Sequence, residues 1–372
     1  MKSFSFKYGE TKLYFGPNVI SKLREHLDGM ESVTIVTGRK SAEKSGALQD
    51  VKKILEESGI NYQVFNEVVP NPTVDIADDV AEFARKNCSD CLIGIGGGSI
   101  IDVSKVSSII AVNGGRAEDY LNGMKIKRKI KLIVVNLTHG TGSEIDRFAV
   151  LTKGKEKVGI SARYPDVSFD DPRYMLSLPR EQSIYTSIDA FFHSYEAITA
   201  RAANPLVKTL SMESARIIGE NLGEDSQNLE KKYNLLYASM LAGIALDISP
   251  AHIVHAIEHA LSGIKQDLAH GCGLAMVGAR SIYWIHKHSK ESADILERLT
   301  GKKVKSPSDA EKTFRDFLDK VGFDEKLSDY GFGRDDFSEI KEMVFGRLSY
   351  SISRANFKLT EDMLIDILEK SL

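Results

Sequence analysis

"GIGGGSIIDVSK", Gly94 to Lys105, is the stretch on which the fold turns. An apolar, strand-like run begins at Cys91, three successive glycines follow, and helical periodicity carries on from Ser99 to Val112. Strand, glycine turn and helix in that order are the repeating unit of a parallel α/β sheet. Glycines let a backbone approach a phosphate closely, and the free N–H groups of the next helix favour an anion. Ser99 is placed to cap that helix and donate to a phosphate, and Asp102 is read into its first turn, where a carboxylate is favourable. Gly94 to Ser99 spells G-x-G-x-x-S, which misses the dinucleotide fingerprint at its last position, and without GK[ST] the stretch is no P-loop. The same glycines also suit a tight turn that holds nothing, so the loop alone does not choose.

The flanking sequence continues in strands and helices. Phe4–Tyr8 and Lys12–Phe15 read as a hairpin, and Pro17 opens a helix toward Leu27. Val33–Thr37 is a β-branched run, followed by one helix over Ala42–Ser58 that Gly59 closes. Gln63–Phe65 is a short strand, Thr73 caps a helix ending near Asn87, and Leu132–Asn136 is another strand. Past Pro179 helical periodicity takes over: Arg180–Arg201, Pro205–Asn221, Asn228–Asp247, Pro250–Gly263 and Cys272–His288. The expected architecture is α/β, a mostly parallel, Rossmann-like dinucleotide-binding domain over residues 1–180, followed by an all-α metal-binding and substrate domain over 181–372.

Bulk properties exclude several classes. Lys and Arg total 49 against 52 Asp and Glu, so no basic excess points to nucleic acid. No apolar run is long enough for a bilayer and the N-terminus lacks a signal-peptide core. A cytoplasmic enzyme acting on a small molecule is the expectation. Three cysteines, Cys88, Cys91 and Cys272, are too few for a disulfide framework. The CxxC of Cys88 and Cys91 lies where a helix gives way to a strand, and it reads as packing.

A second glycine-rich stretch, "THGTGSE" (Thr138 to Glu144), follows the Leu132–Asn136 strand. It lies past a strand's carboxyl end, where open α/β sheets bind ligands. The hydroxyls of Thr138, Thr141 and Ser143 suit phosphate or amide groups, and two such loops favour a dinucleotide over a mononucleotide. In the helical half, Asp189 and His193 are four residues apart in "DAFFHSYE", as are His255 and His259 in "HIVHAIEHA"; His270 follows in "AHGCG". Residues i and i+4 share a helix face. One carboxylate and several imidazoles make a set for Fe²⁺, Zn²⁺ or a similar divalent ion, and the lack of cysteine argues against structural zinc. Asp189, His193, His255 and His270 form the candidate set; a metallohydrolase remains open at this point. His252 reads as an ordinary satisfied helix histidine, and His26, His286 and His288 as surface residues.

Together GGGSIIDVSK, THGTGSE, DAFFHSYEA, HAIEHALSG and AHG resemble the iron-containing (group III) alcohol dehydrogenase family, in its motif order and over essentially the whole chain. The resemblance implies an NAD(P)-dependent oxidoreductase that interconverts a primary alcohol or diol and an aldehyde, usually with iron, and a homodimer. Position by position it implies metal ligands Asp189, His193, His255 and His270. It implies a pyrophosphate on Gly97, Gly98 and Ser99, with Asp102 counted in that cradle, and a cofactor lined by Thr138, Thr141, Ser143 and Lys157. His259 matches a family residue near nicotinamide and substrate and is the candidate catalytic proton carrier. Ala269 stands where the family commonly has proline, Cys272 and Gly273 where it has an Ala-Asn pair, and His139 where it often has alanine. A glycerol-type polyol dehydrogenase and a 3-dehydroquinate-synthase-like lyase share the architecture, and a nucleotide-binding protein without catalysis is the rival of a different class.

The residues after Val33–Thr37 bear on cofactor choice. Many NAD-preferring relatives place an aspartate there; here Gly38, Arg39, Lys40 and Ser41 follow, with Lys44 a turn later. Without the acid, and with a hydroxyl and cations in its place, a 2′-phosphate can be received. NADP(H) is expected to be preferred over NAD(H).

Overall fold

The computed structural model describes residues 1–223 and 228–372. The chain divides into two compact units, one of Met1–Pro179 with Asn228–Leu236, the other of Arg180–Gln227 with Tyr237–Leu372.

The first unit is built on a seven-stranded sheet. Its strands are β1 (Phe4–Tyr8), β2 (Thr11–Phe15), β3 (Ser32–Thr37), β4 (Asn61–Phe65), β5 (Cys91–Gly96), β6 (Lys131–Asn136) and β9 (Val167–Asp170). They lie in the order β1-β2-β9-β6-β5-β3-β4, and only the β1–β2 hairpin is antiparallel. Side chains alternate between two cores: Ile93, Ile95, Ile133 and Val135 face one, Leu92, Leu132 and Val134 the other. Both faces are therefore covered, which is why these strands read as nearly continuous apolar runs. A separate antiparallel pair, β7 (Phe148–Lys153) with β8 (Glu156–Ser161), stands outside the sheet.

The strand order reverses at one place. The chain runs outward from β3 to the edge strand β4, then returns across β3 to β5 and on to β6. The carboxyl ends of β3 and β5 thus flank a topological switch point, where doubly wound sheets bind their ligands. Gly38 follows β3, Gly97 follows β5 and Thr138 follows the adjacent β6.

Several local expectations are corrected. The residues after Pro17 form a 3₁₀ helix, Val19–His26. The single helix expected over Ala42–Ser58 is broken into α1 (Ser41–Lys44) and α2 (Ala47–Glu57), because Gly46 sits at φ 81, a left-handed conformation that ends a turn. Helix α3 (Val74–Lys86) takes its cap from Thr73, as expected. Helix α4 (Gly98–Asn113) begins one residue early, with Gly97 rather than Ser99 as its cap, and Asp102 falls beyond its first turn; the short α5 (Ala117–Leu121) follows it. Strands β7, β8 and β9 had no counterpart in the sequence reading.

The second unit is helical among its described residues: α6 (Arg180–Thr199), α7 (Pro205–Asn221), the latter part of α8 (Leu229–Ile248), α9 (Ile253–Ile264), α10 (His270–His286), α11 (Glu291–Thr300), α12 (Pro307–Val321) and shorter helices after them. Helix α6 is buried from Ser183 to Thr199 except at Thr186. Its aromatic side, Phe191, Phe192 and Tyr195, packs on Phe314 of α12 and on itself, with ring centroids 5.3 Å apart for Phe191–Phe314 and Phe192–Phe314. That packing turns the residues of its polar face toward α9 and α10. Helix α10 opens at His270, two residues earlier than expected. Among the described residues no single helix is long and apolar enough to cross a membrane.

Candidate metal centre and dinucleotide loops

Three helices converge on Asp189. Helix α6 supplies Asp189, His193 and Glu196, spaced i, i+4 and i+7; α9 supplies His255, Glu258 and His259; α10 supplies His270 from its first turn. The Nε2 atoms of His193, His255 and His270 lie 3.3, 3.4 and 3.6 Å from the same oxygen, Asp189 Oδ1. Four donors around one tetrahedral divalent ion, at bonds of about 2.1 Å, stand about 3.4 Å from one another. Asp189 Oδ1 and His255 Nε2 are buried and find no hydrogen-bond partner, an arrangement that is costly unless a cation completes it. The residues therefore fit a metal ion.

Carboxylates behind the imidazoles aim them. Glu196 Oε2 faces His255 Nδ1, and Glu258 Oε2 faces His270 Nδ1. Each holds a proton on Nδ1 and leaves the Nε2 lone pair for a metal, the usual outer-shell arrangement. Glu196 is itself held by the backbone N–H of Val254 at 2.7 Å and of His255 at 3.2 Å. His252, expected to be bland, is fully buried behind it, with Nδ1 3.2 Å from Glu196 Oε1 and Nε2 3.0 Å from Thr199 Oγ1.

The electrostatics follow from burial and partners. Burial alone would raise the Asp189 carboxyl, but the imidazoles of His193, His270 and His255 outweigh it and hold the group well below the usual carboxylate range. Burial pushes His255 down, yet Glu196 and Asp189 lift it to about 9. The same balance, burial against His252 and His255, brings Glu196 down to about 2. The cluster is a nest of buried negative charge that protons or a divalent cation must neutralise.

The centre is open on one side. The side chain of His270 is 26% exposed, against 4–9% for Asp189, His193 and His255. His259 stands on that side, half-buried, its ring centroid 5.6 Å from that of His270. Its nitrogen groups with donor atoms of Glu258 and His270 and lies outside the group of Asp189, His193 and His255. His286, expected at the surface, is half-buried and meets Ser292 Oγ at 3.2 Å; His26 is half-buried against Tyr14, and His288 is exposed and stacked on Phe357.

In the first unit the two glycine-rich loops pack into one wall. A Cβ on Gly97 would stand 2.7 Å from Thr138 Cγ2, and one on Gly98 2.6 Å from Thr141 Cγ2, so only glycine permits the contact. The amides of Ile100 and Ile101 bond to the Gly97 carbonyl; those of Gly98 and Ser99, at the start of α4, have no intrahelical acceptor. Gly97, Ser99, Thr138 and Thr141 are half-buried along this wall. Ser143 is buried: its hydroxyl donates to Asp102 Oδ1 at 2.5 Å and accepts from Lys105 Nζ at 2.8 Å. The other oxygen of Asp102 accepts from Val150 N at 2.9 Å. Lys157 lies on β8, buried, opposite Thr152. Arg39, Lys40 and Ser41 are exposed at the carboxyl end of β3.

Sequence reasoning missed Glu196, Glu258 and Lys105. The first two carried a signal, since they repeat the ligands' own helix face at i+7 from Asp189 and i+3 from His255.

Two families of motif now meet in one chain: a phosphate-type wall at the switch point of a doubly wound sheet, and a three-imidazole, one-carboxylate centre in an all-helical unit. A model of the iron-containing alcohol dehydrogenase family matches residues 10–172, and one of that family's C-terminal region matches residues 183–372. The chain belongs to this family: it is an oxidoreductase, an alcohol dehydrogenase of the iron-containing type. Membership implies a metal and a nicotinamide cofactor. The chain is 36% identical to the long-chain primary alcohol dehydrogenase of Thermoanaerobacter ethanolicus, over 96% of this chain and 95% of that one. It is 33% identical to the 1,3-propanediol dehydrogenase of Klebsiella pneumoniae, over 89% and 90%. The crystal structure of NADH-dependent butanol dehydrogenase A from Thermotoga maritima matches with a TM-score of 0.86 at 27% identity, covering 98% of each chain.

Proposed function

We propose that the chain is a metal-dependent, NADP(H)-preferring enzyme that interconverts a primary alcohol or diol and its aldehyde. The single observation that carries the metal part is the convergence of three Nε2 atoms on Asp189 Oδ1. In this reading residues 181–372 hold metal and substrate, and residues 1–180 hold the dinucleotide on Gly97, Gly98, Ser99, Thr138 and Thr141.

Asp189, His193, His255 and His270 would hold one divalent ion, Fe²⁺ in the family's habit, with Zn²⁺ as an alternative. Bound there, such an ion would supply Lewis acidity toward the substrate oxygen. Hydride exchange belongs to the nicotinamide. The chain's own part is to orient and to move a proton: Glu196 and Glu258 keep their imidazoles in the ligating tautomer, and His259, on the open side, carries the alcohol proton between substrate and solvent. The test is elemental analysis with reconstitution by Fe²⁺, Zn²⁺ and Ni²⁺, assayed on an aldehyde panel. His255→Ala is expected to lose both metal and turnover while keeping its helical content; full turnover in that variant refutes the assignment.

NADP(H) preference rests on the residues after β3. Gly38 stands where NAD-preferring relatives place an aspartate, and Arg39, Lys40 and Lys44 find no ion-pair partner among the described residues, so the cations are open to a phosphate dianion. Gly38→Asp restores a carboxylate for the ribose hydroxyls and should move preference toward NAD(H); its Cβ, 3.1 Å from the Val68 carbonyl, fits with a small local shift. A higher kcat/KM with NADH than with NADPH in the wild type refutes this part, and the name of the Thermotoga maritima relative makes the comparison pointed. We also infer a homodimer, since β1 leaves an open sheet edge with Phe4 exposed; a monomer by light scattering at micromolar concentration refutes the dimer.

A further inference from the structure

Lys105 closes the motif that opened the sequence, where a phosphate-loop reading would aim it at a phosphate. The structure uses it otherwise. Its side chain is fully buried, and its three N–H donors are all engaged: with Ser143 Oγ at 2.8 Å, Asp146 Oδ1 at 2.8 Å and the Phe148 carbonyl at 2.6 Å. Asp146 Oδ1 also accepts from Phe148 N at 2.8 Å. Asp102, three residues earlier on α4, takes the Ser143 hydroxyl proton and the Val150 amide. One helix thus grips the chain from Ser143 to Val150. The grip reaches the wall through a short path, because Ser143 N donates to Thr141 Oγ1 at 3.3 Å, and Thr141 is the residue that packs on Gly98.

We propose that Lys105 is a positioning residue which, acting through Ser143, holds the Thr138–Thr141 loop against Gly97 and Gly98 and so sets dinucleotide affinity without touching the dinucleotide. The inference rests on the reading above that these loops hold the cofactor. It removes Ser143 from the set of direct cofactor contacts, since its one hydroxyl proton goes to Asp102.

The test uses the full chain, loaded with metal, and titrations of NADPH and NADH followed by fluorescence. Ser143→Ala deletes the link and leaves Lys105 its bonds to Asp146 and Phe148. The cofactor Kd should rise about tenfold, the equivalent of one hydrogen bond to a charged group. The kcat at saturating cofactor, the KM for the aldehyde and the metal content should stay at wild-type values. Without cofactor, the amides of Gly140 to Ser143 should exchange with deuterium faster in this variant. Lys105→Met should weaken binding in the wild type and at least fivefold less in the Ser143→Ala background, because coupled residues are not additive. If Lys105→Met leaves the buried Asp146 carboxylate without its ammonium and does not fold, Lys105→Met with Asp146→Leu takes its place in the cycle. Unchanged Kd or unchanged exchange in Ser143→Ala overturns the proposal, as does a Lys105 effect that multiplies undiminished in that background. A wild type that binds neither nucleotide overturns the dinucleotide reading instead, and the exchange measurement then still decides the clasp.

Discussion

His139 should make the first unit acid-labile. Its imidazole is fully buried in the THGTG loop, and burial, with the Lys232 ammonium nearby, pushes its pKa down to about 3. In the unfolded chain the ring titrates at about 6.5. A group whose folded pKa is depressed stabilises the fold above its unfolded pKa and loses that contribution as pH falls. Each pH unit below about 6.5 therefore costs about 1.4 kcal/mol, down to the folded value. At pH 5 the loss from this residue alone is about 2 kcal/mol, equivalent to roughly 4–8 °C of Tm for a cooperative unit of this size. His139→Ala removes the titration. The space it leaves lowers stability equally at all pH values, so the pH dependence isolates the effect. In thermal unfolding of the metal-free protein at about pH 7.5 and 5, the variant should lose roughly 4–8 °C less than the wild type on acidification. Parallel losses in the two proteins would mean that the ring is protonated in place and that burial does not hold it neutral.

Other perturbations test other contacts. Asp170 is buried beside Glu144, both oxygens of Glu144 and Oδ2 of Asp170 lack partners, and burial raises the Asp170 carboxyl to about 7 despite the Asn136 amide. A raised acid stabilises below its unfolded pKa and loses that contribution as pH rises, so Asp170→Asn should gain stability relative to wild type between about pH 4 and 7 in urea unfolding. Glu258→Gln keeps its shape but weakens the hold on His270 Nδ1; metal affinity should fall about 10–100-fold by competition with a chelator, with secondary structure unchanged. Gly271→Ala places a methyl inside contact distance of the Tyr185 carbonyl, one helical turn before Asp189. The α6–α10 approach must widen there, so metal content by elemental analysis should drop together with activity; a fully loaded variant would show that the approach is not needed.

Much of this molecule is local in origin and was legible in its sequence. The strand–glycine–helix order around Gly97, the β-branched runs of β3, β5 and β6, and the helices past Pro179 follow from periodicity and turn chemistry, which act over a few residues. The donors of the metal centre were visible as i, i+4 pairs because one helix face gathers them without help. What tertiary structure decided is of longer range. Strand β9 has four residues, VSFD, too few for a periodic signal, and it is a strand only because β2 and β6 leave a place between them. Ser143 and Lys105, 38 residues apart, had no spacing to relate them; a hydroxyl read as a ligand donor became a structural link once α4 was laid beside its loop. Glu196 and Glu258 became the supports of His255 and His270 because α6, α9 and α10 cross at one point. Local chemistry selects the elements, but which buried proton or lone pair finds which partner depends on contacts between elements far apart in the chain, and those exist only after the chain has packed.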